Sequence, residues 1–252
     1  MPAERLRAMG QGHWLAFYGL VLGAWTLLYA MQVPADLAGA ARLFGPELWA
    51  ALCAVEPGVA GAPTVFLMWA AMAAGMMAPT ALPALVTYDD LRVAQAGSGA
   101  GFAALAAGYL AVWLGFAAAA TAAQIGMAEA GLVTPLGASA SVVLSAGLLA
   151  MAGVWQLSSP KAACLARCRA PFGFFMAHWP EGPWRMGLRL GLVCLGCCWA
   201  LMALAFVGGA MNLAFMGGAM LLMAVEKLPA GRIVTRPLGW ALLGAAALTL
   251  VI

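Results

Sequence analysis

The sequence predicts an all-α fold: a polytopic bundle of transmembrane helices that forms one integral membrane domain over residues 1–252. Of these residues, 65% are hydrophobic and only 8% are charged, whereas a soluble domain carries about 25% charged residues. Apolar stretches of nearly the ~20 residues that a helix needs to cross a bilayer recur along the chain. The net charge is only +3, and the basic residues lie at the ends of apolar segments, which excludes a nucleic-acid-binding protein.

This pattern predicts about seven spans. They cover residues 13–31, 63–90, 100–126, 138–157, 186–207, 210–225 and 237–252. The first apolar stretch is long enough to span, and no convincing cleavage site follows it, so we expect a retained span rather than a signal peptide. Residues 32–62 are predicted to form an outer loop with an amphipathic helix on the membrane surface. Residues 158–185 form a polar loop that contains cysteines.

The distribution of positive charge predicts the orientation of these spans. With a cytoplasmic N-terminus, only Arg42 of the twelve Lys and Arg residues would lie on the outer side. Cytoplasmic loops of membrane proteins carry an excess of Lys and Arg. We therefore expect the N-terminus and the 158–185 loop to be cytoplasmic and the C-terminus to be outside.

Five cysteines follow a helical spacing near this cytoplasmic side. Two lie four residues apart in the loop and three lie at positions i, i+3 and i+4 of the fifth span, so each group shares one helix face. Thiolates and imidazoles are the ligands that Cu(I) and Zn(II) prefer. The candidate ligands are Cys164, Cys168, Cys194, Cys197 and Cys198, with His178 between the two groups. The alternative is that these cysteines only pack helices, as small apolar residues do, and this is the interpretation that we adopt for Cys53.

A methionine stripe in the second span supplies a further set of soft ligands. Met68, Met72 and Met76 recur every four residues, and Met77 is adjacent. Thioethers select Cu(I) over hard cations, so Met72, Met76 and Met77 could line a low-affinity path to the cysteines. Methionine is also a common filler of helix interfaces. The sequence leaves both the path and the packing interpretation open.

Ionisable groups close two of the predicted spans. Asp89 and Asp90 end the second span, and Glu226 and Lys227 end the sixth. Buried ionisable groups in membranes are often functional, although groups at span ends can also extend to water. Because the predicted topology places Glu226 on the side of the cysteines, we include it among the candidate metal ligands.

Several segments together resemble a known family. They are "WAAMAAGMMAPTALP", "AGVWQLSSPKAACLARCRAP" and "GLVCLGCCWALMALAFVGGAMNLAFM" followed by "EK", in that order between residues 69 and 239. With their C-x-G-C-C-W and K-x-x-C-L-x-x-C-R elements, they resemble a bacterial family described as predicted metal-binding integral membrane proteins. The resemblance implies a metal-binding protein of the bacterial inner membrane and supplies no substrate or reaction.

Two classes of function remain at this point. In the first, the protein binds, transports or delivers a soft metal, with Cu(I) expected ahead of Zn(II), and exchanges it with a metallochaperone or a membrane metalloenzyme. In the second, it is a structural or assembly subunit of a larger membrane complex and binds no metal. We do not expect an enzyme, because the sequence contains no hydrolase triad, phosphate-cradling loop or covalent haem motif. A thiol oxidoreductase also fits poorly, since only Cys53 lies on the oxidising side.

Overall fold

The structure is a computed structural model that describes residues 12–31, 61–95, 99–134, 137–210 and 212–251. Helices dominate these ranges, and the one extended feature within them is an isolated antiparallel bridge between Val133 and Ser139. The predicted all-α fold is therefore confirmed in the described residues. Cys53 and nearly all of the predicted outer loop lie outside them.

The α-helices are numbered here in chain order. They are α1 (Gly12–Ala30), α2 (Ala62–Thr80), α3 (Leu82–Ala94), α4 (Gly99–Glu129), α5 (Val142–Leu157), α6 (Ser159–Arg169), α7 (Pro171–His178), α8 (Pro183–Ala203), α9 (Ala205–Gly208), α10 (Leu213–Lys227) and α11 (Arg232–Val251). Short 3-10 turns, Trp179–Glu181 and Pro229–Gly231, precede α8 and α11.

Five of the described segments are long and apolar enough to cross a membrane. They are α1, α2, α4, the continuous Pro183–Gly208 segment and Pro229–Val251. A sixth span results if α5 and α6, which meet at an angle of 62°, cross together. The helix in the sixth predicted span, α10, has 15 residues, fewer than the ~20 that a straight crossing needs. The count of seven spans and the cytoplasmic N-terminus are thus not confirmed.

Glycines bring α4 and α8 into close contact. A Cβ atom added at Gly191 would lie 2.9 Å from the Cβ of Val112, and one added at Gly187 would overlap the carbonyl group of Leu105. Small residues at such positions let the backbones of membrane helices approach closely. The contact holds α8, which carries three cysteines, against Tyr109 of α4.

The bend between α5 and α6 is encoded locally. Ser158 ends α5 with an extended backbone, and its side chain caps α6 by accepting a hydrogen bond from the backbone N–H of Lys161 at 3.3 Å. Pro160 follows in the first turn of α6, where its missing N–H needs no partner. The turn lays α6 against α8 and so brings the cysteines of α6 to those of α8.

Two side chains of α1 attach it to α2 and α3. Pro79 has no N–H to donate to the carbonyl of Gly75, and the indole N–H of Trp25 donates to that carbonyl instead, at 3.0 Å. At the other end of α1, Trp14 donates to the carboxylate of Asp89 at 2.9 Å. The Arg92 guanidinium and the Nε2 atom of His13, the latter at 3.3 Å, contact the same carboxylate.

Candidate metal centre

The three cysteines of α8 form a compact group of thiols inside the bundle. The sulfur atoms of Cys194, Cys197 and Cys198 all lie within 4.8 Å of one another, and the three residues are at most 2% exposed. The Sγ atoms of Cys197 and Cys198 are 3.2 Å apart. This arrangement follows from the i, i+3, i+4 spacing on one helix. In the described part of the chain, these three form the one group of three or more His, Cys, Asp and Glu side chains close enough to share a metal ion.

Three other helices contribute polar groups around the Cys194 sulfur. The ammonium group of Lys227, on α10, and the hydroxyl of Tyr109, on α4, each lie 3.0 Å from it. Lys227 also donates to the hydroxyl of Thr80 at 2.5 Å, at the end of α2. Tyr109 and Thr80 both donate to the backbone carbonyl of Met77, at 2.9 Å each. Cys194 therefore lies at the meeting point of α2, α4, α8 and α10.

The two cysteines of α6 lie beside this group. The thiol of Cys168 neighbours that of Cys197. The sulfur of Cys164 rests against Gly196, where an added Cβ atom would lie 2.7 Å from it. Both residues are half-buried, and no disulfide joins any of the described cysteines. The five thiols thus extend from a partly exposed helix to the buried interior of the bundle.

His178 is placed apart from the three-thiol group. Its Nδ1 atom lies 2.8 Å from the carbonyl oxygen of Phe174, and its ring packs on the Phe174 ring with a centroid distance of 4.7 Å. It lines a surface cavity of about 260 Å³ together with Arg167 and Arg189. The structure therefore does not bring His178 into the group that could share a metal.

Glu226 also lies outside the three-thiol group, in a buried ionic network. Its carboxylate accepts a hydrogen bond from the ammonium group of Lys161 at 2.9 Å and another from the side-chain amide of Gln156. Lys161 donates to Gln156 as well, and Arg169 donates to the backbone carbonyl of Glu226 at 2.9 Å. Lys161, Gln156 and Glu226 are at most 3% exposed. The network joins α5 and α6 to the end of α10.

The methionines of the second predicted span are fully packed. Met72, Met76 and Met77 are at most 2% exposed and belong to the same apolar core as the three cysteines of α8. Met216 and Met223 of α10 lie in that core too, and α10 packs against α2. The link from α2 to Cys194 runs through the backbone carbonyl of Met77. Their burial agrees with the packing interpretation, and a path for Cu(I) along these thioethers stays a prediction.

The candidate site residues predicted from the sequence did not include three residues of these clusters. Lys227 contacts Cys194, Tyr109 joins that cysteine to α2, and Lys161 pairs with Glu226. A signal existed for the lysines: Lys227 closes an apolar segment, and Lys161 lies three residues before Cys164. Nothing in the apolar run around Tyr109 distinguishes it from an ordinary core aromatic residue.

Comparison with known proteins identifies a family. Residues 66–249 match the model of the PpoB2 family, which is described as copper chaperone. No curated protein and no solved structure matches the chain. The family match covers well over half of the 252 residues, and it includes both cysteine groups and Lys227. The chain therefore belongs to the PpoB2 family of copper chaperones.

Proposed function

We propose that this protein is a membrane copper chaperone that holds Cu(I) on two thiolates of the group formed by Cys194, Cys197 and Cys198. The carrying observation is the group of three buried sulfur atoms within 4.8 Å of one another, in a chain that belongs to a copper chaperone family. Sulfur ligands select soft ions such as Cu(I). The group contains no carboxylate or imidazole, so it offers little to a hard cation.

Zn(II) fits this donor set less well than Cu(I). Structural Zn(II) sites are almost always tetrahedral, with four protein ligands, and α8 supplies three thiols within one group. Cu(I) can be bound by fewer sulfur ligands than the four of a structural Zn(II) site. A cargo ion must also leave again, which an incomplete ligand set permits more readily than a closed tetrahedral site.

The cysteines of α6 provide the exchange step in this proposal. Cys164 and Cys168 are half-buried, so a donor or acceptor can reach them more easily than the cysteines of α8. Because Cys168 adjoins Cys197, Cu(I) can pass from one pair of thiolates to the next without being released into solvent. The partner is a metallochaperone or a membrane metalloenzyme that offers its own thiolates.

The membrane topology belongs to the same proposal. We place the protein in the bacterial inner membrane with seven spans, a cytoplasmic N-terminus and α10 as a short sixth span. The restriction of all but one Lys and Arg to one side supports this arrangement. With it, α6 faces the cytoplasm, and Met72, Met76 and Met77 lie between the outer side and the cysteines, where they would carry Cu(I) across.

A copper titration tests the proposal. The protein, purified in detergent under anaerobic reducing conditions, is titrated with Cu(I) against a chromogenic chelator. We expect the natural chain to take Cu(I) from the chelator and the Cys194→Ser/Cys197→Ser double variant to fail. Cys53→Ser is the matched control, and it should bind as the natural chain does. If neither the natural chain nor the control binds Cu(I), the proposal is wrong and a structural subunit becomes the better interpretation.

A further inference from the structure

Lys227 differs from the other buried cations of the described chain in its surroundings. Lys161 pairs with Glu226, and Arg92 pairs with Asp89. The ammonium group of Lys227, which is 6% exposed as a residue, has the Thr80 hydroxyl and the Cys194 sulfur as its hydrogen-bond partners. No described carboxylate forms a salt bridge with it.

A buried charge without a partner of opposite sign is costly. The Thr80 hydroxyl cannot carry a negative charge at ordinary pH, whereas a sulfur atom can. Cys194 is the cysteine that faces Lys227, while Cys197 donates its own S–H to the backbone carbonyl of Cys194 at 3.0 Å. The geometry therefore directs the positive charge of Lys227 at the sulfur that a metal ion would bind.

The charges of the possible complexes differ in how well they match one ammonium group. Cu(I) held by two thiolates carries one net negative charge, and Lys227 neutralises it. A divalent ion held by the same two thiolates is neutral, so the lysine charge then stays uncompensated. To reach neutrality, a divalent ion must also deprotonate the third thiol. A buried cation thus favours a monovalent metal at this site.

We infer that Lys227 is a specificity-determining residue, the counter-ion of a two-thiolate complex of Cu(I) that includes Cys194. This inference rests on the proposed function. It adds that Cu(I) binding needs a buried cation to neutralise the anionic complex, besides the sulfur ligands. On binding, two copper–sulfur bonds form, the thiol protons of these two ligands leave, and no electron is transferred. The lysine does not bind the metal; it acts through the charge of the complex.

The test compares the affinities for Cu(I) and Zn(II) in matched variants. Lys227→Met removes the charge with a side chain of similar length, and Lys227→Arg keeps the charge. We expect Lys227→Met to weaken Cu(I) binding by about tenfold or more while Zn(II) binding changes less, so that the ratio of the two affinities falls. Lys227→Arg should restore most of the ratio. Thr80→Val removes the neutral partner of the lysine and should leave the ratio within about threefold.

The outcomes separate this inference from the proposed function. If the natural chain binds Cu(I) and Lys227→Met retains the natural Cu(I) to Zn(II) ratio, the inference fails and the proposed function stands. An equal loss of both metals that Lys227→Arg does not restore indicates a structural role and also overturns it. If the natural chain binds no Cu(I), both fail. Should Lys227→Met not fold, Lys227→Gln removes the charge while keeping a donor for Thr80, and the same ratio decides.

Discussion

Two neighbouring residues at the end of α10 belong to two different buried clusters. Glu226 faces α5 and α6, where Lys161 and Gln156 match its charge and hydrogen bonds. Lys227 faces α2, α4 and α8, where it meets a hydroxyl and a thiol. The first cluster is complete within the protein. In the second cluster, the charge of Lys227 is neutralised only when an anionic sulfur centre forms beside it. A structural contact is expected to be neutralised within the protein, and a binding site by its ligand.

The largest expected effect on stability comes from breaking the complete cluster. Lys161→Met leaves the Glu226 carboxylate buried without a cation, which costs about 3–5 kcal/mol in comparable sites. We expect a clear fall in the thermal unfolding temperature in detergent. The double variant Lys161→Met/Glu226→Met removes both charges and should recover much of the loss. A single variant as stable as the natural chain would contradict the assignment of this cluster to the fold.

The second prediction concerns the buried methionines of α2. Replacing Met72, Met76 and Met77 together by Leu should abolish copper movement in cells if their thioethers form the path. The fold should be largely kept, because Met-to-Leu exchanges usually cost under ~1.5 kcal/mol each. Copper uptake in cells and thermal unfolding in detergent are measured on the same variant. Unchanged copper handling would assign these methionines to packing.

The third prediction concerns the junction between the half-buried and the buried thiols. Cys168→Ser removes the α6 thiol beside Cys197 but leaves the three-thiol group intact. We expect the rate of Cu(I) transfer from a soluble thiolate donor to fall by about tenfold, while the amount bound at equilibrium stays the same. Stopped-flow transfer and equilibrium titration measure the two quantities separately. A loss of equilibrium binding with an unchanged rate would instead make Cys168 a ligand of the stored ion.

The smallest expected effect comes from a solvent-exposed ion pair, in contrast to the buried pair of Lys161 and Glu226. Arg189 donates to Glu181 at 2.5 Å, and the Arg189 side chain is 54% exposed. Exposed pairs contribute about 0–1 kcal/mol, so Glu181→Gln should change the unfolding temperature little and copper binding not at all. A fall in unfolding temperature as large as that of Lys161→Met would contradict the argument that a buried ion pair contributes more to stability than an exposed one.

The sequence predicted the helical class and the grouping of the α8 cysteines because both depend on local rules. Apolar composition excludes a soluble fold, and the i, i+3, i+4 spacing places Cys194, Cys197 and Cys198 on one face once the helix forms. The position of Glu226 depends on a tertiary contact with the Lys161 ammonium group, which sequence spacing does not reveal. His178 contacts the Phe174 carbonyl within its own helix, and its separation from the three-thiol group depends on how α7 packs, which is again a tertiary property.

Neither the bend before α6 nor the inward position of Lys227 was predicted from the sequence, although the residues that produce the bend are local. The sequence "QLSSPK" contains the cap and the proline that explain the bend afterwards, but the same residues are compatible with an ordinary loop. A lysine at the end of a span is usually expected to extend to water. Lys227 instead points inward because Thr80 and Cys194 lie within reach of its ammonium group.

The helix α6 carries Lys161 and Cys168 seven residues apart. Seven residues make nearly two turns of an α-helix, so the two side chains leave the helix in almost the same direction, one into the Glu226 network and the other toward Cys197. The seven-residue spacing therefore directs the Cys168 thiol toward Cys197 when Lys161 is held in the Glu226 network. Inserting one residue between them would rotate Cys168 by about 100° relative to Lys161 and turn its sulfur away from α8, although no ligand would have been replaced.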